Sequence, residues 1–556
     1  MMKQKLILLF LIVLIVGYSC GNGDESNPPQ PPPSSFNFTG LTVNGVNNGF
    51  SYMGVNTRPI VKLSFSKPIA QNTATQGILF KDAAGNDVPY TIAFENSNSI
   101  LSIQPSMNLS YLTKYAVAAT KNLTAEDQGK LLTPVVVELL TAYDSNDKFP
   151  AITDDELLTL VQKQTFKYFW DFAHPTSGLA RERNTSGDLV TIGGSGFGAM
   201  SIVVGVQRNF ISRQEALTRL TKMVDFLTTS GQKFHGAFPH WMNGNTGSVI
   251  PFSNKDDGAD LVETSLLMQG LLVARQYFDG NSVEETALRN KINVLWNGVE
   301  WSWFRKNNEN VLYWHWSPNY GWDMNMKIKG WNECLITYVL AASSPTYSVP
   351  KVAYDEGWAS NGSMKNGTSY YQIPLPLGPA YGGPLFFAHY SFLGLDPNGL
   401  KDAYADYQTQ VVNHTKINYQ YCVTNPLNNY GYGSSCWGLT ASDIPNGYTA
   451  SSPTNDVGVI APTAAVSSLP YTPTESMAAL HFFYYKLGDK LWGNYGFYDS
   501  FSLKQAWFSN SYLAIDQGPM IVMIENYRSK LIWNLLMSCP EVKTGLVNLG
   551  FQSPKL

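Results

Sequence analysis

The chain has 556 residues, 44% of them hydrophobic and 14% charged, with a formal net charge of −4. That length exceeds one ordinary core, so two domains are expected, and the composition excludes an intrinsically disordered chain. No basic block follows the N-terminal residues, which excludes nucleic acid as a partner.

At the N-terminus, Lys3 and Lys5 precede an apolar run from Leu6 to Val16, and small or polar residues lead to Cys20. This is the layout of a secretory signal, too short to span a bilayer. Cys20 just after the apolar run resembles a lipobox, which implies cleavage before it and lipidation of its thiol, although Gly17-Tyr18-Ser19 departs from the usual pattern. Asp24 and Glu25 beyond it resemble the surface-export signal of Bacteroidetes lipoproteins. The expected division is a signal peptide over 1–19 and a lipid anchor with a Pro-rich, extended tether over 20–36. A monomeric outer-membrane lipoprotein follows, facing the cell surface or the periplasm and held to the membrane by its anchor alone. Cys334, Cys422, Cys436 and Cys539 show no metal spacing; Cys422 and Cys436 flank a Gly/Asn/Tyr-rich loop and could pair in an oxidising compartment.

Residues 37–145 read as a small β-sandwich. Ile60 to Phe65 and Ile100 to Ile103 alternate apolar with polar, the period of a half-buried strand, and turns such as Ala84-Gly85-Asn86-Asp87 separate the runs. Pro59 to Ile69, with Leu112 to Val117, resembles a bacterial Ig-like domain, and no acid–base or metal cluster stands out in it.

From residue 150 to 556 the period becomes helical. Thr153 or Asp154 can cap a helix with Leu157, Leu158, Val161, Phe166 and Phe169 on one side. Further helices are expected near 196–209, 212–230, 258–279, 283–304, 328–342, 401–420, 474–487 and 520–536. About a dozen helices without β periodicity suggest hairpins closing into an (α/α) toroid. The intervening loops are rich in Trp, Tyr, Asn and Gly, as from Tyr313-Trp314-His315-Trp316 to Tyr320-Gly321-Trp322-Asp323. Flat rings cover the C–H faces of sugars, although large side chains also fill cores.

The candidate chemistry is carboxylate chemistry. Asp256, Asp260 and Glu263 are spaced i, i+4, i+7, so a helix starting early would carry them on one face, continuing into Leu267 and Gly270. Clustered acids in a desolvated site hold at least one proton and can supply a general acid, whereas Asp256 and Asp257 could equally cap the helix. Glu333, opening an apolar helix after the aromatic loop, is the second acid; a pair flanking a glycosidic bond is the usual requirement for its hydrolysis. Arg181, His240, Trp241, Trp314, Trp316, Trp322, Trp331, Asp516, Gln517 and Glu525 are candidate substrate contacts, with Glu525 and Arg528 an alternative i, i+3 structural pair. There is no phosphate loop, no Gly-x-Ser-x-Gly elbow and no zinc spacing among the seven His, so neither metal nor cofactor is expected.

Phe166 to Phe172 with Gly178 to Arg181, the Asp256–Glu263 block, Gly330 to Glu333, and Ile515 to Pro519 with Ile524 to Arg528 resemble the glucoamylase-like family, whose bacterial members form glycoside hydrolase family 144. The resemblance covers about residues 150 to 550. It implies an (α/α)6 toroid, no metal requirement and inverting hydrolysis of β-1,2-glucan, either internal or by release of sophorose from a chain end. It places Asp256, Asp260, Glu263 and Glu333 where the family keeps its essential acids, with Glu263 as general acid. The alternatives are another polysaccharide hydrolase, a lyase or an epimerase on the same toroid, and a non-catalytic surface glycan-binding lipoprotein. Acid-rich blocks and net negative charge disfavour a lyase of acidic glycans.

Overall fold

The structure, a computed structural model, describes residues 35–556; the expected signal, Cys20 and most of the tether lie outside the described residues. It contains two compact units, one drawn from residues 35–52, 58–108 and 115–138 and one from Met53–Thr57, Leu109–Lys114 and Leu139–Leu556.

The first unit is built on two four-stranded sheets. One has the order β1 (Phe38–Val43), β3 (Val61–Phe65), β6 (Ile100–Pro105), β5 (Tyr90–Glu95), all antiparallel, with Leu41 opposite Leu63 and Leu63 opposite Leu101. The other has the order β2 (Ser51–Val55), β8 (Val135–Thr141), β7 (Lys114–Ala119), β4 (Ile78–Asp82), and helix α1 (Gln71–Gly77) enters β4 directly. Val61, Leu63 and Phe65 are buried and alternate with half-buried neighbours, the pattern of a strand with one face on a core.

The second unit is helical. Its long helices are α2 (Asp154–Trp170), α3 (Ile192–Gln207), α4 (Arg213–Thr229), α5 (Leu261–Tyr277), α6 (Val283–Gly298) and α7 (Leu335–Ser343). After the short α8 (Lys351–Ala353) come α9 (Tyr407–Thr424), α10 (Pro462–Val466), α11 (Pro473–His481), the single turn α12 (Gly488–Leu491), α13 (Ala514–Ser529), α14 (Leu531–Ser538) and α15 (Pro540–Leu549). Helices α3, α5, α7, α10 and α13 are apolar on nearly every side and buried along most of their length. By contrast, α4 and α6 carry polar residues outward and bury one stripe. The buried helices form a ring in which α13 packs on α3, α3 on α5 and α5 on α7. The turns Leu385–Ala388 and Ser391–Leu393 take the next inner place, tied to the segment after α10 by Tyr471 Oη donating to the Ala388 carbonyl at 2.9 Å. Contact between α10 and α13 closes the ring. This is the (α/α)6 toroid, with one inner helix reduced to 3-10 turns.

Close approach of α3 and α5 depends on missing side chains. A Cβ on Gly196 would lie 2.2 Å from the Leu266 carbonyl oxygen, and one on Gly270 would lie 2.0 Å from that of Gly196. Thr153, not Asp154, caps α2, in a reciprocal box with Glu156.

Several helix limits differ from the sequence expectation for identifiable reasons. The helix expected over 258–279 begins only at Leu261, because Asp260 is its N-cap; that expected over 328–342 begins at Leu335, after Gly330 turns the chain at φ 77°. The stretch over 401–420 is helical from Tyr407, capped by Asp406. The stretch over 520–536 starts earlier, at Ala514, and is split by Lys530 in a left-handed conformation. Among the described residues no helix is long and apolar enough to cross a membrane. Cys334, Cys422, Cys436 and Cys539 are buried free thiols, so Cys422 and Cys436 do not pair in the structure.

Candidate active site

A cavity of about 380 Å³ opens at the N-terminal ends of the inner helices. Val262, Glu263 and Leu266 enter it from the first turns of α5, Glu333 from the loop before α7, and Leu513 and Ile515 from the start of α13. Trp241, Phe252, Trp314, Phe386, Tyr390 and Tyr448 give it an aromatic wall; Glu182, Arg183 and His240 are its remaining charged or titratable lining.

The expected single helix face bearing three acids is not what unites Asp256, Asp260 and Glu263. Asp256 lies in a turn before the helix, Asp260 is the N-cap of α5, and Glu263 is in its first turn. Asp260 Oδ1 accepts the Glu263 N–H at 2.9 Å, a cap of the ordinary kind. The Glu263 carboxylate does not close a box on its own helix. Its Oε2 accepts the Gly193 N–H of α3 at 2.7 Å and faces the Thr191 hydroxyl at 3.4 Å, so it serves the N-terminus of the neighbouring helix. A Cβ on Gly193 would sit 2.7 Å from that oxygen, so glycine is what admits the carboxylate.

Two histidines complete the group. Strand β12 (Ala259–Asp260) pairs with β13 (His315–Trp316), which sets Asp260 directly opposite His315. His315 Nε2 lies 3.2 Å from Asp256 Oδ2 and 3.5 Å from Asp260 Oδ2. His240 Nδ1 lies 3.0 Å from Asp260 Oδ2, and its Nε2 is 4.0 Å from Glu263 Oε1. Trp314 Nε1 donates to Asp260 Oδ2 at 3.3 Å. Strand β10 (Trp241–Asn243), paired on one edge with β9 (Leu189–Thr191) and on the other with β11 (Val249–Ile250), anchors the chain just after His240. The His240 ring stacks on Phe252 at 4.1 Å.

Burial alone would lower both histidines. For His240 the Glu263 and Asp260 carboxylates outweigh it and hold the imidazole up to about 9. For His315 the hydrogen bonds to Asp256 and Asp260 do the same, up to about 10. Burial would raise Asp260, but the two histidines outweigh it and keep its carboxylate ionised below the usual range. Burial raises Glu263, with Asp260 and Asp256 adding repulsion against the opposing pull of His240 and the Gly193 N–H. Burial likewise pushes Glu333 up to about 7, helped by the nearby charges of Glu263 and Asp260. Among the described residues no side-chain cation pairs with Glu333. One ligand atom each of His240, Asp256 and Asp260 lie within 4.8 Å of one another, so these three could hold a metal ion; the histidines pair with Asp256 Oδ2 and Asp260 Oδ2 and leave Asp256 Oδ1 without a hydrogen-bond donor.

Glu333 is fixed from below. The Ser391 hydroxyl donates to the Glu333 carbonyl, and Ser391 Oγ accepts the Ile336 N–H at 3.0 Å. The adjacent Trp331 is 4% exposed and packs against Phe392 and Tyr407, so it anchors the loop rather than facing the cavity.

Other expected substrate contacts lie away from the lining. Arg181 donates to the carbonyls of Gly187 and Phe172, both at 2.7 Å, and covers the Phe172 ring. Trp316 and Trp322 pack on Trp303 at 5.4 and 4.8 Å. Gln517 is wholly buried and donates to the Phe497 carbonyl at 2.9 Å; Asp516, 3% exposed, stands behind the wall beside Asp499. Glu525 is wholly buried and paired, but with Arg208 at 2.6 and 2.9 Å, while Arg528 goes to Asp155 at 2.7 Å. Sequence reasoning missed His315, Asp443 and Tyr448 as parts of the site. Only the β12–β13 register and the hairpin over 441–450 bring them in, and neither has a periodicity signal.

Comparison with known proteins covers both units of the chain. The family model described as Putative glucoamylase matches residues 325–540, and that of the bacterial Ig-like domain matches residues 39–138. The endo-β-1,2-glucanase from Chitinophaga pinensis, solved with sophorotriose and glucose, is 53% identical with a TM-score of 0.71, over 73% of this chain and 100% of that one. The chain belongs to the glucoamylase-like family of β-1,2-glucanases. Another solved relative, the β-1,2-glucanase from Parabacteroides distasonis, is 36% identical with a TM-score of 0.70, over 94% of this chain and 74% of that one. The exo β-1,2-glucooligosaccharide sophorohydrolase (non-reducing end) of Parabacteroides distasonis is 46% identical over 418 residues. That match takes in 71% of this chain, which spans 58% of the sophorohydrolase's length. This glucoamylase-like chain therefore carries both regions that its sequence resembles, the Ig-like unit and the toroid.

Proposed function

We propose that this chain is a glycoside hydrolase that cleaves β-1,2-glucan, with Glu333 delivering the proton to the leaving oxygen and Glu263 as its ionised partner. The observation that carries the reading is the pair of glutamates, Glu263 buried and Glu333 half-buried, lining one aromatic-walled cavity with both carboxyls raised by desolvation. Among the described residues no cation pairs with the Glu333 carboxyl; burial outweighs the hydrogen bond from its own backbone N–H and pushes it up to about 7, so it holds a proton near neutral pH and can give it up. Glu263 accepts N–H and O–H donors that favour its charged form, which supports Glu333 as the acid in place of the Glu263 expected from sequence. Inversion, the stereochemistry the family resemblance implies, requires room for a water or a relay through a sugar hydroxyl.

The test is reducing-sugar release from β-1,2-, β-1,3-, β-1,4- and α-1,4-glucans, with product sizing and the anomer of the first product read by proton NMR. Release from β-1,2-glucan with an inverted anomer is expected. Release from another linkage alone would overturn the substrate, and a retained anomer the mechanism. Large mixed products indicate internal cutting and disaccharide alone an exo mode. The Cys20 anchor and an outer-membrane location remain part of this proposal, supported by the apolar run before Cys20. A Cys20→Ala chain that still partitions with membranes would remove them.

A further inference from the structure

Behind the Arg183 side of the cavity, four carboxyl groups gather around one guanidinium. Arg183 Nε lies 2.9 Å from Glu182 Oε2, and its Nη1 lies 3.2 Å from Asp443 Oδ1. The Asp443 N–H donates to Asp499 Oδ2 at 2.6 Å, and the Ser511 hydroxyl donates to the Asp443 carboxylate. Asp499 is 2% exposed, Asp516 3%, and the two carboxyl groups are in hydrogen-bond contact. Each nevertheless keeps one buried oxygen, Asp499 Oδ1 and Asp516 Oδ2, with no N–H or O–H to accept. Ionised carboxylates only accept, so two of them meeting in a buried site are stable only with a proton between them.

We propose that Asp499 and Asp516 share one proton, and that this pair, acting through Asp443, positions Arg183 for substrate. The charge count supports it. Glu182, Asp443, Asp499 and Asp516 face a single cation, Arg183, and the hydroxyls of Tyr448 and Tyr390 also face Asp516. Burial and mutual repulsion raise both members of the pair. Removing the shared proton places a second negative charge next to the Asp443 backbone that Asp499 holds. Asp443 lies in the hairpin over 441–450, which also carries Tyr448 into the cavity. Asp499 and Asp516 are thus positioning residues, and their effect rests on the proposed glucan hydrolysis.

Asp499→Asn separates the two layers. The amide oxygen can still accept the Asp443 N–H while its NH2 donates to Asp516, which preserves the net charge of the pair without a titrating proton. Infrared difference spectra of wild type against D499N at neutral pH are expected to show the C=O band of a protonated carboxyl in the wild type only. Its absence overturns the shared proton whatever the chain hydrolyses. In steady-state assays, as pH is raised about two units above neutral, kcat is expected to fall alike in wild type and D499N because Glu333 loses its proton, while KM of the wild type rises several-fold. In D499N that rise is absent. The infrared band together with superimposable KM–pH profiles overturns the positioning of Arg183. A chain inactive on glucan but showing the band fails the hydrolase reading and leaves the proton pair standing.

Discussion

Glu333 and Glu525 belong to the same helical unit, but Glu525 is wholly buried, Glu333 is half-buried at a cavity wall, and their surroundings are opposite. Glu525 receives two guanidinium donors from Arg208, the Gln162 amide at 3.2 Å and the Ser529 hydroxyl at 2.5 Å. Every lone pair that burial removes from water finds a donor, and its charge is matched. Glu333 faces the cavity with no cation and is pushed up to about 7. A buried acid with full pairing is part of the scaffold; one left without pairing at a cavity wall is kept reactive at a cost in stability.

The largest expected effect tests the unpaired member. Glu333→Gln removes the transferable proton while keeping shape, so kcat on β-1,2-glucan is expected to fall by about 100- to 10,000-fold. Oligosaccharide binding, read by calorimetry, stays near wild type, and thermal stability does not fall. Retained kcat would take Glu333 out of the proton-donor role. The paired member is expected to behave in reverse. Glu525→Gln leaves Arg208 facing a neutral amide, a loss of about 3–5 kcal/mol in denaturant unfolding. Its kcat per folded molecule stays near wild type. A catalytic defect in a stably folded Glu525→Gln chain would break the contrast.

The two glutamates also differ in how far the sequence revealed them. The 3.6-residue period exposed outer helices such as α4 and α6, which bury one stripe, and long apolar runs marked inner helices such as α5, and with them the toroid. It could not reveal that Glu525, on such a helix, points at Arg208, because that pairing joins residues 317 apart. The acids before α5 were legible as a block, but the reason for their convergence was not. Asp256 and Asp260 meet through His315, which a two-residue strand places opposite Asp260, and so short a pairing leaves no pattern. Likewise, Trp331 sits beside Glu333 in sequence and reads as a sugar platform, whereas it packs on Phe392 and Tyr407 and fixes the loop. Aromatic content alone does not distinguish a ring that faces a ligand from one that anchors the residue that does.

The smallest expected effect concerns the paired acids of the site itself. In the folded chain His240 and His315 are held up to about 9 and about 10, against an ordinary value near 6.5. Between the ordinary value and these, the folded state binds more protons than the unfolded one. Stability from the two imidazoles is therefore complete below about pH 6.5 and is lost as pH rises through 9 and 10. The raised Glu333 acts with the same sign in a lower window, from about pH 4.5 to about 7, outside the alkaline slope, and the raised Glu263 shares its sign. Asp260 has the opposite sign, but its window lies in strong acid. Urea unfolding from pH 7.5 to 10 should then show a decline of at most about 1.4 kcal/mol per pH unit for each titrating imidazole. Asp260→Asn keeps the cap on α5, since Asn caps as well as Asp, but removes the charge that both histidines share. The decline should flatten in that variant. An unchanged slope would mean that the histidines owe their charge to Asp256 and Glu263 instead, and that Asp260 is a cap and little more.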